Sequence, residues 1–435
     1  MFFFLPCLLI LYYLFPKSRP VRNYILLAAS LMFYAWGEPV FVFIMIASIF
    51  MNWYVTLLMS RSSRKKLWLT LAIGLDVLLL GVFKYTGFIT ENLGFTRINI
   101  ALPIGISFFT FQMMSYVFDV YYGKSQAQKN PLYVALYISF FPQLIAGPIV
   151  RYNQIEAELE SRTESWENFS EGVRRFIYGL GKKILLANFL AQIADNVFDY
   201  IPNPSVLIAW LGAVSYTFQI YFDFSGYSDM AIGLGLMFGF HFKENFNYPY
   251  IARSISDFWR RWHISLSKWF RDYVYIPLGG NRVSHSRWLL NVFIVWLLTG
   301  IWHGANWTFI LWGLAYFVLL ALEREVGLKL GYAGTMIAVI LLWVLFRCES
   351  VTQGMSYLAC MFGLKGNAFA DEAFMFFVDG TWILMVLAVL GVFPFAAERL
   401  KKYPVIESVW LLAVFGLSAC EIVNSGYNPF IYFNF

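Results

Sequence analysis

Apolar runs of about 15 to 22 residues, the length that crosses a hydrocarbon core, recur from one end of this 435-residue chain to the other. They fall near 2–15, 23–36, 40–59, 67–83, 103–121, 132–149, 205–222, 288–302, 306–322, 333–346, 374–393 and 405–423. The chain is 60% hydrophobic and only 13% charged, so it cannot cover its apolar surface with polar groups in water. Lipid has to be the solvent for most of it, and the expected architecture is one polytopic all-α membrane domain spanning 1–435.

Two runs are broken by Pro and Gly: LPIGISFF (Leu102 to Phe109) and PQLIAGPIV (Pro142 to Val150). Neither suits an uninterrupted helix. Non-helical backbone at membrane depth survives only where protein or a water-filled cavity satisfies it, so the breaks point to an interior chamber. The opening MFFFLPCLLILYYLF lacks a basic segment ahead of its apolar run and a small-residue cleavage site, and reads as a retained first span. KSRPVR (Lys17 to Arg22) and RSSRKK (Arg61 to Lys66) are separated by two runs joined at a short GEP turn, which puts both on the cytoplasmic side. GKSQAQK (Gly123 to Lys129) and RLKK (Arg399 to Lys402) fall on the same side, and the N-terminus outside.

The net charge of +6 is gathered in these short connections, which is the mark of membrane topology. A reader of nucleic acid needs one continuous basic face, and none is present. Cys7, Cys348, Cys360 and Cys420 are far apart, with no CxxC pair, so neither a metal cluster nor a disulfide framework is expected.

The most polar stretch runs from Tyr221 to Arg287 and does not look like a span. In DFWRRWHISLSKWFRDY, Trp259, Trp262, Leu266 and Trp269 or Phe270 recur at helical spacing, with Arg260, Arg261, Lys268 and Arg271 on the opposing positions. That pattern predicts an amphipathic helix at the interface or over a cavity. Its cations suit anionic headgroups and equally the phosphates of a nucleotide-bearing donor, for which arginine offers a bidentate fork.

Four histidines occur. His241 and His285 read as packing or exposed residues. His263 lies inside the basic-aromatic stretch, and His303 lies in TGIWHGANWTFILWG between two apolar runs, where an ionisable side chain marks a functional site by default. Gly300 and Gly304 admit close approach by a ligand or another helix, Asn306 can hold an amide or hydroxyl, and Trp302 and Trp307 can wall a narrow passage. The chain has no GxSxG, P-loop or HExxH motif, which leaves proton transfer by a buried histidine as the simplest chemistry. Asp223 and Asp229 are weaker candidates for orienting polar groups, with a helix cap or an intramembrane ion pair as the structural alternative.

YFDFSGYSDMAIGLG, SDFWRRWHISLSKWFRDYVYIPLGGNR and WHGANWTFILWG together resemble the membrane-bound O-acyltransferase superfamily, within it the branch that O-acetylates exported alginate. LPIGISFFTFQMMSYVFDVY, FFPQLIAGPIVR and the terminal YNPFIYFNF resemble the same branch. The resemblance implies a bundle of about 11 transmembrane helices with re-entrant and interfacial helices around a central channel, the catalytic block lying at about 215–315. His303 takes the position of the superfamily's channel histidine, and His263 that of its second recurrent polar residue.

The implied reaction is acetyl transfer from cytoplasmic acetyl-CoA, a substrate rather than a bound cofactor, for O-acetylation of an alginate-like exported polysaccharide. An extracytoplasmic acyl-accepting protein completes it, and the setting is the bacterial inner membrane. His303 would act as general base, His263 would orient the thioester or stabilise developing charge, and Arg260, Arg261, Lys268 and Arg271 would hold donor phosphates. A transient acyl-enzyme is the other route. D-alanyl transfer to teichoic acids is the alternative within the superfamily. A transporter or flippase of polysaccharide export is the alternative outside it.

Overall fold

The computed structural model describes residues 3–15 and 18–429. Phe2 of the first run, Lys17 of KSRPVR and residues 430–435 of the terminal motif lie outside the described residues. Among the described residues the regular elements are helices, and six are long and apolar enough to cross a membrane. These are Phe41–Arg61, Lys65–Asn92, Val206–Met237, Trp307–Glu325, Glu372–Gly391 and Pro404–Asn424; Phe4–Tyr13 and Gly331–Arg347 are shorter apolar helices. The chain is a multi-pass membrane protein.

Contacts divide it into two compact units, Met1–Val173 with Ala231–Lys243, and Arg174–Met230 with Glu244–Phe435. In the first unit both expected breaks are present. Residues 101–105 are not helical, and Ile106–Tyr121 starts only after Gly105, which has φ +74°. A Cβ on Gly105 would lie 2.8 Å from the Leu144 carbonyl oxygen, so conformation and space both call for glycine. The run near 132–149 is divided into Pro131–Ser139 and Phe141–Leu144.

Polar groups inside this unit are tied to one another. Asn52 donates to Asp76 Oδ1 at 2.8 Å, joining Phe41–Arg61 to the next helix. Near the chain start, the buried Arg162 guanidinium donates to Asn23 Oδ1 at 2.7 Å and Phe238 O at 2.9 Å. Glu164 receives Arg22 at 2.8 Å, together with Arg19 and the Tyr12 hydroxyl. A carboxylate with so many donors is held low: burial pushes its pKa up, but Arg19, Tyr12 and Arg22 overcome that and bring it to about 2.

The second unit has an aromatic core in which Trp262, Trp312, Trp343, Tyr250, Phe258 and Tyr316 are almost fully buried. Against expectation, YFDFSGYSDMAIGLGLM continues the helix Val206–Met237 rather than leaving it. Its charges permit this because they are paired: Asp223 with Lys183 at 2.7 Å, and Asp229 with Arg175 at 2.8 Å and Lys182 at 2.6 Å. Lys182 and Lys183 open a π-helical stretch, Lys182–Ala187, a geometry that re-aims side chains within a helix.

Candidate active site

His303 is the last residue of the helix His285–His303, and its side chain is buried. Gly304 takes an extended conformation there, and the chain turns at once into Trp307–Glu325. The two helices form a close hairpin. A Cβ on Gly300 would sit 2.5 Å from Phe309 O, and one on Gly304 would sit 2.3 Å from the Phe309 ring. Gly300 and Gly304 therefore serve helix contact, the way glycines bring backbones together in lipid. Asn306 is the N-cap of the second helix: its Oδ1 accepts from Thr308 N at 3.0 Å and its amide donates to Glu349 O at 2.6 Å.

The His303 ring stands edge-to-face against Trp302, Trp312 and Phe346, with centroids 5.0, 5.0 and 5.1 Å away. Trp302 also stands 5.8 Å from the His263 ring, so the two histidines share one indole as neighbour. Tertiary packing thus brings together Trp302, His303 and His263 from positions 40 residues apart in sequence. Trp307, by contrast, is largely exposed.

The single amphipathic helix expected over DFWRRWHISLSKWFRDY is two short ones, Ile255–Arg261 and Ile264–Phe270. The break is at Trp262, which is extended, and His263, which is left-handed at φ +42°. A non-glycine residue adopts that conformation only where its surroundings impose it. Here Ile264 N donates to Asn245 O and Asn247 N to Arg261 O, both at 2.9 Å, which clamps the turn from each side. His263 is completely buried in a turn too short to cross a membrane, and burial lowers its pKa to about 3. The imidazole is neutral at physiological pH.

The basic residues part company. Arg260 and Arg271 line a cavity of about 320 Å³ with Trp259, Tyr275, Trp296 and Thr299. Thr299 is one helical turn before His303, so this cavity and the histidine share a helix face. Arg261 instead donates to Asp257 at 3.0 Å and to Asn247 O at 3.3 Å. Lys268 lies in the last turn of Ile264–Phe270. Asp223 and Asp229 are held in ion pairs.

Residues matching the membrane-bound O-acyltransferase family model span 127–330, which includes both histidines, the basic helices and the cavity. Over its whole length the chain is 38% identical to "Probable alginate O-acetylase AlgI" of Azotobacter vinelandii, covering 98% of that protein. This chain belongs to the membrane-bound O-acyltransferase family. Its likeness to the Pseudomonas aeruginosa protein of the same name is 44% identity over 83% of this chain and 73% of that one. A "Peptidoglycan O-acetyltransferase" of Helicobacter pylori is 38% identical over 81% of this chain and 75% of that one. As a family member the chain is an O-acyltransferase and takes an acyl donor.

Sequence reasoning missed Asn245 and Ser265, whose side chains bind each other and His263, and Glu323, whose carboxylate accepts from Ile255 N at 2.9 Å and Ser256 N at 3.2 Å. Ser254 was missed as well, its hydroxyl capping Asp257 N at 3.1 Å; the signal that could have found it is S-x-x-D ahead of an apolar run, a helix-start signature.

Proposed function

We propose that the protein moves an acetyl group from cytoplasmic acetyl-CoA towards the hydroxyls of an exported, alginate-like polysaccharide. The bacterial inner membrane is its place, with an extracytoplasmic acyl-accepting protein as partner. The observation that carries this reading is the pairing of a buried histidine with an arginine-lined cavity on one helix, His303 and Thr299 being one turn apart. The names of the relatives supply the acetyl group and the alginate.

In the reaction, His303 takes the proton of the acceptor hydroxyl as its oxygen attacks the thioester carbonyl. The new C–O bond forms, the C–S bond breaks, and the proton passes to the departing thiolate. General base assistance of this kind contributes about 100-fold to 10,000-fold. Arg260 and Arg271 bind the donor's phosphates at the cavity, and His263 keeps a substrate group in line. Asp223, Asp229, Arg261 and Asn306 brace the scaffold through the contacts described above.

The test is the acetyl content of secreted polymer in cells carrying His303→Ala, with protein level measured in the same membranes. Loss of acetyl groups at normal protein level is the expected result. Normal acetylation at normal protein level removes the enzymatic role of His303.

A further inference from the structure

Asn245 is completely buried, and its side chain meets three groups at once. Its Oδ1 accepts the Ser265 backbone N–H at 3.2 Å and the Ser265 hydroxyl at 2.7 Å, while its Nδ2 donates to Ser228 Oγ at 3.1 Å. A backbone N–H can only donate, so the atom facing it must be the amide oxygen, and the orientation of the amide is decided. That oxygen also lies 3.1 Å from His263 Nδ1. An acceptor at this distance requires a proton on Nδ1.

A second contact makes the same demand. Ser265 Oγ lies 3.4 Å from His263 Nδ1. Its one hydrogen is already directed at Asn245, so towards the ring it can only accept. The neutral imidazole carries a single N–H, and with Nδ1 protonated the lone pair is on Nε2. The left-handed backbone at His263 fits this account, because the same Asn245 also receives Ile264 N on its carbonyl and so fixes both the turn and the ring.

We propose that Asn245 is a positioning residue that holds His263 as its Nδ1–H tautomer, so that Nε2 serves the acyl-transfer site as a hydrogen-bond acceptor. This rests on the reading that His263 belongs to that site. It separates the two tasks open to His263: a neutral ring presenting a lone pair cannot donate to a developing oxyanion. It can accept from an N–H or O–H of a bound substrate, such as an amide of the donor's pantetheine arm or the acceptor hydroxyl. Orientation is therefore its role, and Asn245 sets the chemical sense of that contact.

Four histidines make the tautomer directly measurable. Full-length protein labelled with nitrogen-15 at histidine is purified in detergent, and His263 is assigned by loss of its signals in His263→Gln. The expected signature at neutral pH is a protonated Nδ1 and an unprotonated Nε2. In Asn245→Leu that signature is lost, and kcat falls by about 10-fold to 100-fold, the usual effect of removing a group that orients a site residue. Asn245→Asp keeps an acceptor oxygen, retains the Nδ1–H form and recovers most of the activity lost in Asn245→Leu.

A wild-type His263 protonated on Nε2, or an Nδ1–H signature surviving in Asn245→Leu, overturns the proposal. The wild-type spectrum is decisive even where Asn245→Leu does not fold, and Asn245→Asp then carries the activity comparison. If the tautomer is as expected while His263→Gln acetylates normally, the site reading of His263 fails and the Asn245 contact stands as structure alone.

Discussion

Gly313 faces Trp296 so closely that a Cβ on the glycine would come within 2.5 Å of the Trp296 carbonyl oxygen. The contact fastens Trp307–Glu325 to His285–His303, the helix that carries both Thr299 and His303. Gly313→Ala should therefore act through folding, at a cost on the order of 1–3 kcal/mol. The expected result is a lower thermal midpoint in detergent and less protein in the membrane, with activity falling in step. Full stability with lost activity would contradict a packing role.

Arg260 and Arg271 line the cavity, Arg271 also donating to Asp272 at 2.7 Å and Arg260 standing 3.8 Å from Asp257, whereas Arg261 lies outside the lining and donates to Asp257 and a backbone carbonyl. If the proposed donor is used, Arg260→Glu or Arg271→Glu should raise the apparent KM for acetyl-CoA by about tenfold or more, the scale of one charge-assisted hydrogen bond. Arg261→Gln should cost about 0.5 kcal/mol of stability instead. Donor titrations on purified protein, paired with melting curves, distinguish the two. An unchanged donor KM in both charge reversals assigns these arginines to lipid headgroups.

Asp229 holds Arg175 and Lys182 in a little-exposed network on the helix Val206–Met237. Asp229→Asn leaves Lys182 without its counter-charge and Arg175 with Glu244 alone, and breaking such a pair costs about 3–5 kcal/mol. Replacing partners together, as in Asp229→Leu with Lys182→Met, should cost less than Asp229→Asn. Thermal unfolding of the two variants is the comparison, and a double variant weaker than the single one would refute the ion-pair account.

Glu164 is the pH-sensitive joint of the first unit. Its folded pKa of about 2 lies below its ordinary value of 4.5. The unfolded chain thus takes up a proton before the folded one does, and stability falls with pH in that interval. The contribution of Glu164 is complete above pH about 4.5 and is lost as the pH falls through about 2. Glu164→Gln should lower the thermal midpoint at pH 7, and the gap from wild type should narrow on acidification. A gap that is constant with pH would show that the carboxylate charge is not involved.

Much of this molecule was readable from its residues. The long apolar runs became helices because lipid leaves the backbone no other partner, and the breaks came where Gly105 takes a left-handed backbone and where Pro148, after Leu144, cannot donate a helical hydrogen bond. His303 stood out by its chemistry alone. The helices Tyr152–Glu160, Trp166–Gly181 and Asn188–Tyr200 escaped a search for apolar runs, because each has a polar face and none is oily throughout. The break at His263 escaped too, since the helical spacing of Trp259, Trp262 and Leu266 continues across it.

By itself the sequence determined the solvent, the helical class, the family resemblance and the two histidines worth examining, all of which depend on composition, periodicity and local motif. Tertiary structure decided which charges neutralise one another: Arg175 and Lys182 reach Asp229 from 54 and 47 residues away. It also divided the arginines between cavity and scaffold, and it brought Asn245 onto the ring of His263. The physical reason is that a hydrogen bond or ion pair between distant segments leaves no periodic trace in either one. Only the folded backbone places the partners within reach.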